Sequence, residues 1–407
     1  MTNLPQGWEV KKLGDIAEIQ IGKTPSRNNI DFFQGENIWL SIRDLKSKFV
    51  SSSSEKISNE AISKTNMKVV PKGTLLMSFK LTLGKTAFAE CDLYTNEAIA
   101  AIFIKNKNIN KYFLDYVLKF TDLEKYVDNA VKGKTLKKQK LKQIEILLPK
   151  NIKEQERIVG ILDENFAKID ENIKILEQDL LNLDELMQSA LQKAFNPLKD
   201  NAKENYKLPQ GWEWKSLGEI ANTSSGGTPS RNKKEYWENG NIKWLKSGEL
   251  NDGYIDFIEE NITEEAIKNS SAKIFQKGTL LIAMYGATAG KLGILNLDST
   301  TNQAICAFLH KDKNIKFLEK FLFYFLFFLR DKIIKDSFGG AQPNINQTYI
   351  KNLQIPLPPI KEQEQIASHL DELSSHVKNL KQNYQAQIKN LQELKNSLLD
   401  KAFKGNL

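Results

Sequence analysis

Leu4-Pro5-Gln6-Gly7-Trp8-Glu9 returns as Leu208-Pro209-Gln210-Gly211-Trp212-Glu213, 204 residues further along the chain. The same offset carries Thr24-Pro25-Ser26-Arg27-Asn28 onto Thr228-Pro229-Ser230-Arg231-Asn232. Lys72-Gly73-Thr74-Leu75-Leu76 matches Lys277-Gly278-Thr279-Leu280-Leu281 at 205, and Thr95-Asn96 with Ala98-Ile99 matches Thr301-Asn302 with Ala304-Ile305 at 206. Lys153-Glu154-Gln155-Glu156 matches Lys361-Glu362-Gln363-Glu364 at 208, as Lys193-Ala194-Phe195 matches Lys401-Ala402-Phe403. An ordered series of matches with so little drift is a tandem duplication of a unit of about 200 residues. That is too long for a solenoid repeat and suits a domain with an appendage.

Each unit changes character part-way. Residues 1–152 and 207–360 carry short apolar runs such as Leu75-Leu76-Met77-Ser78-Phe79 and Ile99-Ala100-Ala101-Ile102-Phe103-Ile104, broken by Gly, Asn, Pro and Ser. This is the pattern of a mixed α/β globule with many loops, an α+β architecture overall. After each globule comes a polar stretch, 153–196 and 361–407, with a linker at 197–206. In the first stretch Ile158, Leu162, Phe166, Ile169, Ile173, Leu176, Leu180, Leu183, Met187 and Ala190 recur every three or four residues. Ile366, Leu370, Leu373, Val377, Leu380, Tyr384, Gln387, Leu391, Leu394 and Leu398 do the same in the second. These are long coiled-coil helices of ~60 Å, ended by Pro197 and Gly405, whose narrow stripes want a single partner. The simplest arrangement pairs them antiparallel about a pseudo-twofold axis with a globule at each end; the alternative is that each pairs with another protein chain. The expected seam contacts are Leu162, Ile169, Leu176 and Leu183 against Leu370, Val377, Tyr384 and Leu391.

At 407 residues the chain exceeds the ~250–300 at which single cores stop growing, so more than one domain is expected. The greasiest run, FLFYFLFFL at 321–329, is flanked by Lys320 and Arg330 and is far short of the ~20 residues a membrane span needs, so it is expected as a buried helix. Two cysteines, Cys91 and Cys306, make no disulfide framework, and the first residues lack the apolar core of an export signal; a cytoplasmic setting is expected. Three histidines and two cysteines leave little for zinc. The net charge of +8 sits on the globules: residues 1–152 hold 25 basic and 16 acidic side chains, 153–206 hold 7 and 12, 207–360 hold 19 and 16, and 361–407 hold 7 and 6.

The densest cationic run, residues 132–142, contains six lysines, among them Lys132, Lys134 and Lys137. The corresponding loop of the second unit reads Phe338-Gly339-Gly340-Ala341-Gln342-Pro343-Asn344. Lysines grip phosphate without regard to sequence, whereas Gln342 and Asn344 are of the type that pairs with adenine edges. Divergent polar loops on a duplicated scaffold suit a reader of two different half-sites; the plainer alternative for the lysines is a solvated face. In Thr-Pro-Ser-Arg-Asn the proline presets a turn that presents Ser26 and Arg27, or Ser230 and Arg231, to a phosphate or guanine. Equally, the arginines could pair with nearby carboxylates. Lys85 and Lys291, after Gly84 and Gly290, carry the same two readings, and Trp39, Trp237 and Trp244 are expected in cores rather than under bases.

Catalytic patterns are missing. Gly84-Lys85-Thr86 lacks the upstream glycine of a phosphate-binding loop, position 79 being Phe79, and no dinucleotide fingerprint follows a strand. No Asn- or Asp-Pro-Pro-aromatic segment is present to hold a flipped adenine. Glu9-Val10-Lys11 and Glu213-Trp214-Lys215 have nuclease-like spacing without a partner Asp, and His369 and His376 lie seven residues apart on a helix. No catalytic residue and no metal site are assigned.

Taken together, the twofold succession of Leu-Pro-x-Gly-Trp, Leu-Gly-x-Ile, Thr-Pro-Ser, Lys-Gly-Thr-Leu-Leu and a closing long helix resembles the DNA specificity subunit of type I restriction–modification systems. The second unit adds Leu357-Pro358-Pro359-Ile360 followed by Glu362-Gln363 and Ile366. The resemblance implies that 1–152 and 207–360 are target recognition domains, each reading half of a bipartite, asymmetric site in double-stranded DNA, and that 153–196 and 361–407 are spacer helices acting as a ruler. It implies two methyltransferase subunits and two restriction–translocase subunits as partners, to which S-adenosylmethionine, ATP and magnesium belong, with no cofactor in this chain and no membrane. The first unit departs from the pattern with Leu147-Leu148-Pro149-Lys150-Asn151-Ile152. The residues alone leave open a related subunit of a two-chain enzyme that cuts on both sides of its site, a coiled-coil scaffold, and a self-contained methyltransferase.

Overall fold

The two apolar runs that fail to alternate, 75–79 and 99–104, become adjacent strands of a sheet covered on both faces. In the computed structural model, which describes residues 4–127, 136–195, 208–311, 316–337 and 344–407, this sheet orders Ala17–Ile21, Ile99–Ile104, Leu75–Ser78, Thr86–Ala89 and Phe49–Val50. The first four strands are antiparallel and the last is parallel to its neighbour. Leu75, Met77, Phe88, Ala100 and Ile102 face one core, and Leu76, Ala87, Ala89, Ile99 and Ala101 face another. Burial on both faces removes the need for a polar alternate, so the strands read as continuous apolar runs.

The chain divides into two units: Met1–Leu176 with Ala386–Leu407, and Glu177–Gln385. In the first, a smaller sheet of Glu55–Ile57, Asn37–Leu40 and Tyr94–Thr95 adjoins the larger one. Trp8–Lys12 pairs antiparallel with Glu145–Pro149, fastening the start of the globule to its end. Helix Lys111–Phe120 is capped by Asn110, whose Oδ1 accepts from the amides of Tyr112 and Phe113 at 2.9 and 3.1 Å.

The second unit repeats the plan. Its five-stranded sheet orders Ala221–Ser225, Ile305–His310, Leu280–Ala283, Leu292–Leu295 and Gly253–Ile255. A four-stranded sheet runs through Asn261–Ile262, Ile242–Leu245, Ser299–Thr301 and Ile274–Phe275, and Glu213–Ser216 pairs with Gln354–Leu357. The greasy run lies inside the helix Glu319–Lys335, with Phe321, Leu322, Phe323, Tyr324, Phe325 and Leu326 buried, as expected of a core helix. Among the described residues no helix is long and apolar enough to cross a membrane.

The long helices are Ile152–Phe195 and Ile360–Phe403, each 44 residues, or about 66 Å at 1.5 Å per residue. Asn151 opens the first, its Oδ1 accepting from the amide of Lys153 at 3.0 Å. Pro359 opens the second with its carbonyl accepting from the amides of Glu362 and Gln363. In the first unit the beginning of the first helix (Ile158, Leu162, Phe166) shares a core with the end of the second (Leu398, Leu399, Ala402, Phe403). In the second unit the end of the first helix (Met187, Leu191, Phe195) shares a core with the beginning of the second (Ile366, Ala367, Leu370). Within each unit the pairing is therefore antiparallel.

Leu162, Ile169, Leu183, Leu370 and Val377 are buried, and Leu176, Tyr384 and Leu391 are half-buried. The stripe on the second helix departs from the expected one only at three alternate positions, each shifted by one residue. Leu380, Gln387 and Leu394 are exposed, while Lys381, Ile388 and Lys395 turn inward between Val377, Tyr384, Leu391 and Leu398. Lysine stems pack at the seam and their ammonium groups reach carboxylates on the other helix: Lys381 pairs with Asp184 in the second unit, and Lys395 with Asp170 in the first.

Candidate nucleic-acid interface

The matched Thr-Pro-Ser-Arg turns start where the chain leaves the large sheet. Gly22 and Gly226 pass so close to the next strand that a Cβ would stand 2.0 Å from the carbonyl oxygens of Thr95 and Thr301, so only glycine fits there. One turn further, the buried indoles of Trp39 and Trp244 donate from Nε1 to the carbonyls of Lys23 and Gly227 at 3.0 and 2.9 Å. Thr24 donates to Glu97 and Thr228 to Gln303. The proline of each turn is buried, and Ser26 and Ser230 remain exposed.

Arg27 lies 4.2 Å above the ring of Phe33 and 5.2 Å from that of Trp39, and makes a two-pronged pair with Glu55 at 2.5 and 3.0 Å. Arg231 lies 3.6 Å above Trp237 and 4.8 Å from Trp244, and pairs with Glu260 at 2.7 Å. Each glutamate also holds a second cation, Arg43 at 2.6 Å in one unit and Lys246 at 2.8 Å in the other. The hydrogen bond from Arg27 holds the Glu55 carboxyl below the usual range; for Glu260, burial pushes upward but Lys246 and Arg231 outweigh it. The glutamates thus stay ionised near neutrality, and each arginine is held over aromatic rings with about half its side-chain surface open, 54% for Arg27 and 50% for Arg231. The carboxylate reading of these arginines is the one their geometry supports, and it leaves an oriented guanidinium at the surface.

Lys85 and Lys291 are exposed at matched ends of the turn between two central strands, where the amides of Ser78 and Ala283 donate to their carbonyls at 2.8 Å. The same turns anchor the divergent loops. The Leu136 amide donates to the Phe79 carbonyl at 2.9 Å, and the Ile345 amide to Met284 at 2.7 Å. Lys132, Lys134 and Gln342 lie outside the described residues. Lys137 is exposed at the start of the helix Lys138–Lys142, and Asn344 is exposed and bridges Tyr285. A cavity of about 250 Å³ lined by Glu18, Gln20, Lys23, Lys68, Tyr94 and Lys138 joins the arginine turn of the first unit to its lysine run. Among the described residues no cluster of His, Cys, Asp or Glu is arranged to hold a metal ion.

Sequence reasoning did not single out Glu55, Glu260, Arg43 or Lys246, although Glu55-x-Ile57 does return as Glu260-x-Ile262. Nor did it assign a role to the repeated Gln155 and Gln363. Gln155 is buried; its Oε1 accepts from the Asn110 amide at 2.8 Å and its Nε2 donates to the carbonyls of Asn108 and Pro149 at 3.1 and 2.9 Å. Gln363 makes the same three bonds, to Leu318, Lys316 and Pro358. One amide side chain on each long helix therefore clamps it to its globule.

A duplicated mixed α/β domain, each copy offering an oriented arginine and a lysine- or amide-bearing loop and each clamped to a long helix, defines a class of bipartite recognition proteins. The model of the type I restriction modification DNA specificity domain matches residues 5–179 and 209–390, and the chain belongs to that family. It is 27% identical over 421 residues to the type I restriction enzyme MjaIX specificity subunit of Methanocaldococcus jannaschii, covering 99% of this chain and 94% of that one. It is 32% identical over 168 residues to the EcoR124I/EcoR124II specificity subunit of Escherichia coli, covering 40% of this chain and 41% of that one. In fold it resembles the HsdS subunit from Thermoanaerobacter tengcongensis, with a TM-score of 0.59 and 22% identity over 100% of this chain and 98% of the other. A chain from a study of complex assembly and conformational transition in the type I R-M system aligns with a TM-score of 0.80 and 21% identity over the whole of both chains.

Proposed function

We propose that the protein is the DNA-reading subunit of a type I restriction–modification complex and that it performs no chemistry itself. Each globule reads one half of a bipartite, asymmetric site, and the length of the long helices sets the gap between the halves. Two methyltransferase subunits and two restriction–translocase subunits dock on it, and S-adenosylmethionine, ATP and magnesium are bound by those partners. The observation that carries this reading is the matched pair of aromatic-stacked arginines, Arg27 and Arg231, each fixed by a glutamate. Such positioned guanidinium groups, about half open at the surface, suit phosphate or guanine recognition. A cytoplasmic setting is consistent with two free thiols, of which Cys306 is buried, with burial pushing its thiol up to about 12.

Methylome sequencing of cells with the gene intact and deleted tests the reading: a two-part methylated motif is expected only with the gene present. Unchanged methylation after deletion rejects it. A second expectation concerns the lysine run. Lys134→Ala combined with Lys137→Ala should weaken binding of the assembled complex to all sequences alike. Each lost phosphate contact should flatten the plot of log affinity against log salt by about one unit. An identical slope removes that run from the phosphate contacts.

A further inference from the structure

The turn between Leu75–Ser78 and Thr86–Ala89 holds a leucine where the backbone calls for glycine. Leu81 has φ +62°, a left-handed conformation that crowds the side chain of any L-residue and is rare for a bulky one. The second unit shows what the position wants. Phe79 and Met284 are matched by their amides, which donate to the carbonyls of Ala98 and Ala304 at 3.0 and 2.7 Å. Two residues past Met284, where the first unit has Leu81, stands Gly286 with φ +83°. Glycine meets this demand without strain.

Leu81 is also 74% exposed. It strains the backbone and buries almost nothing, so the folded unit gains nothing from it. The turn presenting it is firmly held: the buried Ser78 donates from Oγ to the Thr82 carbonyl at 2.6 Å and accepts from the Lys85 amide at 3.0 Å, with Phe79 buried beneath. Lys80 and Lys85 flank the tip, and Leu136, at the edge of the lysine run, is bonded to Phe79. An alkyl group raised on a rigid turn among cations complements a surface in which apolar base edges and faces lie between lines of phosphate.

We propose that Leu81 is a base-contacting, specificity-determining residue of the first domain. Its isobutyl group lies against a thymine methyl or an opened base step, while Lys80 and Lys85 meet the adjoining phosphates. The proposal rests on the DNA-recognition reading above and deepens it. The second domain, with Gly286 at this place, reads its half-site without such a contact.

Leu81→Gly tests it, because glycine keeps the backbone conformation and removes only the side chain. In the assembled complex the variant should unfold at the same or a higher temperature, co-purify with its methyltransferase as before, and bind target duplex about tenfold more weakly. Methylome sequencing should show one or two base pairs of a single half-site relaxed and the other half-site intact. Wild-type stringency in the variant overturns the proposal, as does equal blurring of both halves. Loss of methyltransferase assembly with unchanged half-site preference makes Leu81 a protein contact and overturns it too. The wild-type complex is read in parallel: if it marks no two-part motif, the DNA reading itself has failed, a result distinct from any behaviour of the variant.

Discussion

Inserting one heptad into each long helix, between Asp170 and Asp184 on the first and between Lys381 and Lys395 on the second, is expected to change the spacer and spare the half-site sequences. Seven residues add about 10 Å of helix, close to three base pairs at 3.4 Å each, and a whole heptad returns the apolar stripe to the same face. Methylome motifs from cells carrying the lengthened gene read the result directly. A spacer that stays constant shows that the helices do not set it. Lengthening one helix alone breaks the pairing of Lys381 with Asp184 or Lys395 with Asp170 and should abolish a defined motif.

Gln155→Leu and Gln363→Leu should be the most damaging single substitutions at the joints. Each removes a buried amide that satisfies one backbone N–H and two backbone carbonyls. Leaving three such groups unpaired and shielded from water should lower stability by about 3 kcal/mol or more. Calorimetry of the two variants checks this, and a loss under about 1 kcal/mol would show that the clamp is dispensable. Two turns along each long helix a second latch repeats: Tyr116 donates to Asp163, which also takes Lys48 at 2.5 Å, and Tyr324 donates to Asp371, which also takes Lys320. Burial, reinforced by the carboxylate, pushes both phenols well above the usual tyrosine range, so they remain donors at any physiological pH. With the glutamine gone this latch still holds the helix, and a loosened joint should first appear as tolerance of more than one spacer length.

The duplication, the two globules and both long helices were legible because each depends on order and period along the chain, which need no partner to be seen. The buried helix at 319–335 was legible because its apolar run has no polar face. The arginine sites were only half visible. Arg27 and Arg231 stand in matched turns, but Glu55 and Glu260 reach them from about thirty residues away in sequence, Glu55 within the strand Glu55–Ile57 and Glu260 just before the strand Asn261–Ile262. The second cation comes from places that do not correspond, Arg43 lying beyond the capping Ser41 and Lys246 at the capping position itself. Convergence of that kind exists only in three dimensions. On the second helix Leu370, Val377, Tyr384 and Leu391 lie inward as expected, and only the alternate positions Leu380, Gln387 and Leu394 differ, because the next residues Lys381, Ile388 and Lys395 turn inward instead; a lysine with a carboxylate opposite can fill a seam position with its stem. Residues 128–135 and 338–343, where the two loops diverge most, fall outside the described residues.

The core of the first unit includes Leu398, Ala402 and Phe403, with the Phe403 ring 5.7 Å from Phe113 and 4.9 Å from Phe120. Residues 1–152 are synthesised before that helix end, so the patch around Phe113 and Phe120 stays uncovered until some 250 further residues have been made. The second unit, Glu177–Gln385, has by then emerged entire. The first unit therefore completes its core only after the second has been synthesised, and a nascent chain halted before residue 386 lacks the helix end that covers Phe113 and Phe120.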